Sequence, residues 1–498
     1  MLLRWIGRLL SWFLGWPAVL LLSFIVSVLY HLDTQLGRTL GRDILNEYVT
    51  SLIDGELRTG TIVQLRLWNT IVKNTYVFDP DGEPIIYGET VQLGIDPIAA
   101  LRGRLRFYYA DLDTGWVHLI EDESGYPTFL AAFEPADKTP SEPDAWYLKA
   151  YVEDMDLQHV SLYGDLLGLE KLRVEDMHVR GRMEFADATA IEVWSATGDI
   201  VEPFPFDAKL KNIVGTVYTD TRGVQVLAEA THGEHAVAAE VVYKPPEGGT
   251  VEDPYDLDLF VRAEPIRAEA LYEVGFDWAE SLTGDVEGWV RLWGPPDVYR
   301  MRADLTTAGG RIKASGHLGT DGPTEIEISS RLLEVDKLMN GAPDIAVDGS
   351  VTFRTDPAHE ELLYVDLQTK GFELDKFIIP PLVAKTRIRP QGIDLLSVET
   401  QYAGGKLSLD GNVEFAGASH IHAFGVVPQV ADDPNFQRYA AGMSGAAQFD
   451  VTIDRNRAGK VDTKGWVNIS DFDYGAVDAE LLRLRGRVWG DLGRPQLD

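Results

Sequence analysis

The sequence predicts a mainly β protein, in which one N-terminal transmembrane helix is followed by an elongated, repetitive antiparallel β-sheet with a few short helices. The segment from Leu9 to Tyr30 is uncharged and largely apolar, whereas most of the remaining chain alternates between apolar and polar residues, with Gly, Asp and Pro at the breaks. The segment "LTGDVEGWVRLWGPPD" recurs in degenerate form as "LRGRVWGDLGRPQLD" near the C-terminus. Frequent strands without regular intervening helices indicate antiparallel meanders rather than βαβ units.

Composition excludes several classes of function. The 498 residues carry a formal net charge of −33, and acidic residues are spread along most of the chain. Such a surface repels phosphates, so we expect no binding to nucleic acid. The chain contains no cysteine, which excludes disulfides, thiol catalysis and thiolate metal sites.

The N-terminal apolar segment is long enough to cross about 30 Å of hydrocarbon at about 1.5 Å per residue. Arg4 and Arg8 precede it, so the positive-inside rule predicts a cytoplasmic N-terminus and an extracytoplasmic body after about residue 31. Aromatic residues placed to lie near the two membrane interfaces are Trp12, Trp16 and Tyr30. A cleavable signal peptide is the alternative. We favour a retained single-pass anchor because the apolar run exceeds a usual signal-peptide core and no small-x-small cleavage site follows.

The segment after the anchor has helical periodicity. Apolar residues that fall near one helix face are Leu36, Leu40, Ile44, Val49, Leu52 and Ile53. We expect this face to pack on the first sheet, and Gly55 is a plausible stop signal. Two further short helices are predicted, at "AEALYEVGFDWAES" and around "PNFQRYAAGM".

Breaks in composition suggest a domain organisation. Residues 1–32 form the cytoplasmic tip and anchor, 33–133 an α+β region, 134–146 a linker rich in Pro and acid, and 147–498 a repetitive β body. A second break, "KPPEGGTVEDPYD", covers residues 244–256. The strand-like alternation of apolar and polar residues continues for longer than the length of an ordinary closed β domain, which suggests a stack of hairpins. Several separate β-sandwiches are the alternative.

Candidate catalytic and metal-binding residues are sparse. His420 and His422 alternate on a predicted strand and would point to one face, but no third metal ligand can be assigned. Ser444 lacks the glycine spacing of a nucleophile elbow. The stretch "DRNRAGKVD" has Ala458 at a ligand position of a calcium loop, so a hairpin turn is the better interpretation. We therefore predict that the chain is not an enzyme and holds neither a metal nor a cofactor.

Alternation gives the sheet one apolar and one polar face. Candidate residues of the apolar face are Val290, Leu292, Leu407, Leu409, Phe449, Val451, Ile453, Val467 and Ile469. In a closed sandwich this face is the core. In a long open sheet it would line a groove suited to acyl chains, since each buried CH₂ contributes about 0.8 kcal/mol. Alternation alone does not distinguish the two.

The region from the anchor to Phe133 resembles the N-terminal part of the AsmA-like/TamB superfamily. The resemblance lies in the membrane segment followed by "SLIDGELRTGTIVQLRLW", "YVFDPDGEPIIYGETVQLGIDPIAALRGRLRF" and "VHLIEDESGYPTFLAAF". Residues at the positions of the family's turn motifs are Asp81, Gly82, Asp96, Pro97, Leu101, Gly103, Glu121, Asp122 and Gly125. The two Gly-strand-Gly-x-Pro phrases quoted above look like the family's repeat units.

This resemblance implies an open β-groove rather than closed sandwiches. It implies a protein of outer-membrane biogenesis, anchored in the inner membrane of a diderm bacterium, whose periplasmic groove carries phospholipid acyl chains between the membranes. An outer-membrane BamA-type barrel is an implied partner. Two alternatives are an assembly factor that acts with such a barrel without carrying lipid, and an extracytoplasmic structural β-sandwich protein. Full-length TamB-like members usually have a longer body, so the sequence can also be part of a longer parent protein.

Overall fold

The structure is a computed structural model, and it describes most of the chain. The described residues are 16, 19–24, 26, 27, 30–51, 53–66, 68–100, 105–120, 128–133, 150–166, 169–185, 189–202, 208–218, 220–232, 235–250, 253–268, 272, 280–319, 322–342, 344–356, 358–374, 377–402, 404–491 and 494–497.

Described residues of the predicted anchor are helical. They include Trp16 and Tyr30, whose side chains are exposed, whereas Arg4, Arg8 and Trp12 lie outside the described residues. Within the described ranges, no helix has both the length and the apolar character needed to cross a bilayer.

The chain divides into two compact units, Met1–Asp253 and Pro254–Asp498. This boundary falls inside the second sequence break, at residues 244–256. The predicted linker at 134–146 lies outside the described residues.

Among the described residues that follow the anchor segment, unit 1 contains one mixed sheet and three α-helices. The helices are α1 (Gln35–Thr50), α2 (Pro97–Ala100) and α3 (Thr128–Ala132). The strands are β1 (Glu56–Arg66), β2 (Asn69–Phe78), β3 (Pro84–Ile95), β4 (Leu105–Leu112), β5 (Gly115–Leu119), β6 (Ala150–Leu166), β7 (Leu169–Phe185), β8 (Thr189–Glu202), β9 (Ala208–Tyr218), β10 (Val224–His232) and β11 (His235–Lys244). From β1 to β11 each strand pairs with its sequence neighbour, except around β4 and β5.

Strands β4 and β5 form one interrupted strand. Both pair antiparallel with β3, and both pair parallel with β6. A parallel pair requires a crossover connection, and α3 lies on the connection from β5 to β6. Among the described strands of unit 1, a parallel junction therefore interrupts the antiparallel meander that the sequence predicts.

Helix α1 packs on β1, as expected. Of the predicted packing residues, Val49 is half-buried and Ile53, just past the helix, is buried, but the N-terminal part of the predicted face is exposed. The predicted packing residues Leu36, Leu40 and Ile44 are 70%, 53% and 64% exposed. The face turned to the sheet carries Gly41 and Asn46 instead. A Cβ on Gly41 would contact the Leu65 side chain at 2.6 Å, so close packing here depends on a small residue that the apolar periodicity overlooks.

The core of unit 1 lies on strands β4 to β9. Its buried members are Leu112, Val160, Val174, Met177, Ala196, Ile200 and Ala208. A second cluster joins β2, β3 and α3 through Val77, Ile85 and Ala132.

Unit 2 is an antiparallel meander. Its strands are β12 (Asp256–Arg267), β13 (Asp285–Gly294), β14 (Val298–Thr307), β15 (Gly310–Gly319), β16 (Glu325–Glu334), β17 (Ala346–Asp356), β18 (His359–Thr369), β19 (Phe372–Leu374), β20 (Phe377–Ile379), β21 (Leu382–Arg389), β22 (Gly392–Tyr402), β23 (Gly405–Glu414), β24 (Ser419–Val427), β25 (Ser444–Arg455), β26 (Val461–Tyr474), β27 (Val477–Asp491) and β28 (Arg494–Leu497). The small hairpin β19–β20 stands apart, and β18 pairs directly with β21. Elsewhere in the described part of unit 2, each strand pairs with its sequence neighbours.

Two short α-helices with described bounds interrupt the meander of unit 2, and a 3₁₀ turn (Val430–Asp432) precedes the second of them. They are α4 (Val335–Leu338) and α5 (Pro434–Tyr439). The second confirms the helix predicted around "PNFQRYAAGM". The buried Asp433 caps it by accepting hydrogen bonds from the backbone N–H groups of Asn435 and Phe436, at 2.8 and 3.1 Å. Of the helix predicted at "AEALYEVGFDWAES", most residues lie outside the described ranges.

Candidate functional site

The strand registers of unit 2 align apolar residues into a row that crosses the sheet from β12 to β27. In order, its members are Val261, Val290, Ala303, Ala314, Ile328, Val351, Leu367, Ala384, Val398, Leu409, Ala423, Val451, Gly465 and Gly486. Each is the direct cross-strand partner of the next. We call this the central row.

Two further rows flank the central row on the same face. One runs from Leu292 through Met301, Gly316, Ile326, Phe353, Val365, Thr386, Leu395, Gly411, Ile421, Ile453 and Thr463 to Val488. The other runs from Ala263 through Gly288, Leu305, Ile312, Ser330, Gly349, Thr369, Leu382, Thr400, Leu407, Gly425, Phe449 and Val467 to Leu484. No ionisable side chain occurs in the three rows, which together we call the apolar face.

Eight of the nine candidate residues from the sequence lie in these three rows, and the ninth borders them. Val290, Leu409 and Val451 belong to the central row, and five others belong to the flanking rows. Ile469 pairs with Ala447 just beyond them, on the same face. The structure therefore brings the nine together on one side of one sheet, although they are distributed over four strands.

The apolar face is incompletely covered. Of the nine candidate residues, only Ile469 is buried (6% exposed), and it belongs to a small core cluster with Val427, Val430, Ala447 and Phe472. The other eight are half-buried. In the interior of a packed sandwich such side chains would be close-packed and almost fully buried. Within the described residues, unit 2 therefore leaves most of this face open.

Glycines on the apolar face permit a local backbone geometry that other residues resist. Gly411 has φ +144°, and a Cβ there would overlap the carbonyl oxygen of His420 on the next strand. A Cβ on Gly465 would likewise overlap the carbonyl oxygen of Asp450. Glycine inside a strand marks a bend or a close backbone approach, and sheets curve at such positions.

The opposite face of unit 2 carries the charges. Asp258 accepts from Arg291 at 2.7 Å, and Asp394 is held at 2.6 Å by both Arg387 and Arg389. Burial would raise the pKa of Asp394, but the hydrogen bonds and charges of the two arginines outweigh it and lower that pKa. The unit 2 sheet is thus apolar on one side and ionic on the other.

His420 and His422 lie on this ionic face. His420 Nδ1 is 2.5 Å from Asp454, and the two ring nitrogens of His422 are 3.1 Å from Asp410 and 3.0 Å from Asp450. Hydrogen bonding to Asp450, opposed by partial burial and supported by Asp410, raises the pKa of His422. Both histidines have carboxylate partners, and the described residues contain no cluster suited to a metal ion.

The other two sequence candidates lie at a strand start and in a hairpin turn. Ser444 begins strand β25. The "DRNRAGKVD" stretch forms a hairpin turn, in which Asn456 N–H donates to the carbonyl of Lys460 at 3.0 Å and Gly459 N–H donates to that of Asn456 at 2.9 Å. These contacts agree with the interpretation of the stretch as a turn.

Unit 1 has a surface cleft of about 530 Å³, lined by side chains from α2, β4 and β6 to β8. Its arginines are paired within the cleft: Arg106 binds Glu153, and Arg182 binds Glu192. The pairing leaves neither guanidinium with an unbalanced charge that would recruit an anion.

Sequence reasoning missed the small members of the central row, such as Ala303, Ala314, Ala384, Ala423 and Gly465. Alanine and glycine contribute little to an apolar alternation pattern, so only their cross-strand partners could have identified them.

Comparisons of this chain with models of protein families, with curated proteins and with solved structures found no match.

Proposed function

We propose that this protein is an AsmA-like, membrane-anchored lipid conduit whose apolar face in unit 2 holds phospholipid acyl chains in transit between the inner and outer membranes. In this proposal the N-terminal helix anchors the chain in the inner membrane, and the body is periplasmic. The observation that carries the proposal is the absence of any ionisable side chain from three adjacent rows that cross the sheet from β12 to β27.

The dimensions of the apolar face suit acyl chains. Strands are spaced about 4.8 Å apart, so the fourteen strands of the central row extend about 60 Å along the sheet. One leaflet of hydrocarbon is about 15 Å thick, so several lipids would fit in succession. Each CH₂ buried there would contribute about 0.8 kcal/mol.

The small side chains in the central row favour movement of a lipid along the sheet over tight binding at one place. Alanine and glycine at Ala303, Ala314, Ala423 and Gly465 leave a shallow track that offers no polar group to fix a ligand at one place. A specific small-molecule site instead combines an enclosed apolar pocket with a few convergent polar groups. A smooth apolar track would let a lipid move along the sheet while its headgroup stays in water.

The uninterrupted ladder also bears on the alternatives. A string of sandwiches requires separate sheets that cover one another's apolar faces. The described strands from β12 to β28 instead form one ladder with a half-buried apolar side, apart from the β19–β20 hairpin. An assembly factor that docks an outer-membrane barrel without carrying lipid would share this geometry, and the lipid content of the purified protein distinguishes it from a conduit.

The test introduces one charge into the central row. Val451→Asp should abolish co-purification of phospholipid, because an ionised carboxylate strongly disfavours adjacent hydrocarbon. Fold retention is followed by circular dichroism and thermal melting, and lipid by mass spectrometry. Because the face is open to water once lipid leaves, we expect the β signal to persist.

Gln448→Asp is the matched control, since Gln448 lies on the same strand but is exposed on the ionic face. It should leave the lipid content unchanged. Ala423→Trp obstructs the same track without adding charge and should also reduce bound lipid. A folded Val451→Asp protein with normal lipid content, or wild-type protein that carries no lipid, would rule out the conduit. Global unfolding of Val451→Asp would favour a closed core.

A further inference from the structure

One end of the unit 1 sheet is joined directly to the C-terminal end of the apolar N-terminal segment. Asp33 follows that segment, and its Oδ1 accepts hydrogen bonds from the backbone N–H of Leu65 and from Arg38, both at 2.9 Å. Arg66 lies 3.7 Å away. These bonds, led by that from Leu65, lower the pKa of Asp33, so its charge and the contact persist at neutral pH.

The same end of the sheet carries Trp68 and Ile98. Trp68 lies in the β1–β2 turn beside Arg66, and its carbonyl accepts from the Tyr109 hydroxyl at 3.0 Å. Ile98 is the second residue of α2, which follows β3 after Asp96. Strand β3 ends beside the start of β2, because Thr70 pairs with Leu93. The backbone N–H of Ile98 donates to Asp96 at 2.9 Å.

Large apolar side chains at this end are strongly exposed. The exposed fractions are 77% for Tyr30, 70% for Leu36, 61% for Trp68 and 61% for Ile98. We call these four residues the foot. Aromatic and aliphatic side chains flanked by arginines are typical of the membrane interface, where rings lie at headgroup level and guanidinium groups contact phosphates.

We propose that the foot lies in the interfacial layer of the membrane that the N-terminal helix enters, with Trp68 and Ile98 inserted among the lipid headgroups. The occupant is the bilayer surface, because the foot is continuous with the uncharged Leu9–Tyr30 segment and is fixed to its end by Asp33. This inference rests on the membrane anchor of the proposed function. It adds that the first hairpins of the sheet begin within the interfacial layer of that membrane.

The absence of cysteine allows a direct test on the full chain. Trp68→Cys and Ile98→Cys are each labelled with a polarity-sensitive fluorophore after reconstitution into phosphatidylethanolamine–phosphatidylglycerol vesicles. Asp81→Cys is the control, since Asp81 is exposed in the β2–β3 turn at the opposite end of the same strands. Quenching is measured with lipids that carry a nitroxide at the headgroup or along the acyl chain.

We expect headgroup nitroxides to quench the labels at Trp68 and Ile98 several-fold more than the label at Asp81, with blue-shifted emission at both sites. The labels at Trp68 and Ile98 can instead be as exposed to water as the label at Asp81, while the protein resists alkaline extraction from the vesicles. That result would contradict the membrane position of the foot but not the proposed lipid conduit. Extraction of the protein by alkali would overturn the anchor and the foot together. A further protein carries the label at Leu36→Cys together with Trp68→Ser and Ile98→Ser. It tests whether quenching of the label at Leu36 depends on the native Trp68 and Ile98 side chains. Quenching equal to that in Leu36→Cys alone would contradict the insertion of Trp68 and Ile98.

Discussion

At the residue scale, His422 is the clearest titrating contact on the ionic face of unit 2. Its ring lies between Asp410 on β23 and Asp450 on β25, so it connects three consecutive strands. Its charged form satisfies both carboxylates, whereas the neutral ring can donate to only one of them. The pKa of His422 is therefore raised, chiefly by Asp450.

This predicts a stability that depends on pH. A raised folded-state pKa stabilises the fold fully below the unfolded value of about 6.5, and the contribution is lost as pH rises through the folded-state pKa. His422→Gln should lower the free energy of unfolding by about 0.5–1 kcal/mol at pH 6 and by much less at pH 9, since the group is partly solvated. Urea denaturation at both pH values measures the difference.

Asp450→Asn removes the largest cause of the shift and should reduce the same pH dependence. Gln448→Asn, on the same strand and exposed, should leave the pH profile as in the wild type. An unchanged profile in both His422→Gln and Asp450→Asn would show that the contacts of His422 with Asp410 and Asp450 contribute nothing to the pH dependence of stability.

At the residue scale, periodicity in the sequence predicts the face of a strand only where side chains are large. Leu409 and Val451 were assigned to one apolar face because two-residue periodicity fixes the face of each strand, and the registers place them in one row. Ala423, which is paired with both, was missed. Its small side chain gives no periodic signal, so only the pairing identifies it.

At the element scale, helix α1 covers the free edge of β1 with hydrogen bonds. Asn46 Oδ1 accepts from the backbone N–H and the hydroxyl of Thr59, at 3.0 and 2.7 Å. Thr50 and Asp33 accept from the N–H groups of Leu57 and Leu65. Unpaired edge strands recruit other strands, and coverage of the edge prevents this.

We therefore predict that Asn46→Ala destabilises the edge rather than the helix. Thr59 is buried, and the loss of its acceptor should cost about 1–3 kcal/mol. Hydrogen exchange at the Thr59 amide should accelerate by one to two orders of magnitude. Glu47→Ala, at an exposed neighbouring position of the same helix, is the control and should leave that amide protected. Equal protection in both variants would contradict an edge-covering role for Asn46.

The parallel junction of β4 and β5 with β6 could not be predicted from the sequence. Periodicity reports which face of a strand is buried, but not which distant strand lies beside it. The orientation of α1 was missed for a related reason. The Leu36–Leu40–Ile44 stripe resembles a packing face, whereas the tertiary contacts use Gly41 and Asn46.

At the scale of the whole molecule, the predominance of antiparallel hairpins follows from local signals. The choice between one continuous ladder and separate sandwiches depends on whether each new hairpin joins the previous sheet or begins another. In the described part of unit 2 each hairpin from β12 to β28 joins the previous sheet, with the exception of the small β19–β20 hairpin. Such nearest-neighbour growth resembles that of solenoids, and it extends one apolar face with every added hairpin.

The proposed membrane topology gives the last prediction. Arg4 and Arg8 precede an uncharged span, so the positive-inside rule predicts that the short N-terminus stays in the cytoplasm and that both units are exported. Alkaline phosphatase fused after Asp498 should be active, and green fluorescent protein at the same position should be dark when exported through the general secretory route. The full-length fusion should fractionate with the inner membrane. Arg4→Glu together with Arg8→Glu should lower the exported fraction, whereas Arg58→Glu, beyond the span, should not. An inactive phosphatase fusion together with a bright fluorescent fusion would show the opposite orientation and contradict the periplasmic conduit. A mature N-terminus near residue 35 would show that the apolar segment is a cleaved signal peptide and not an anchor.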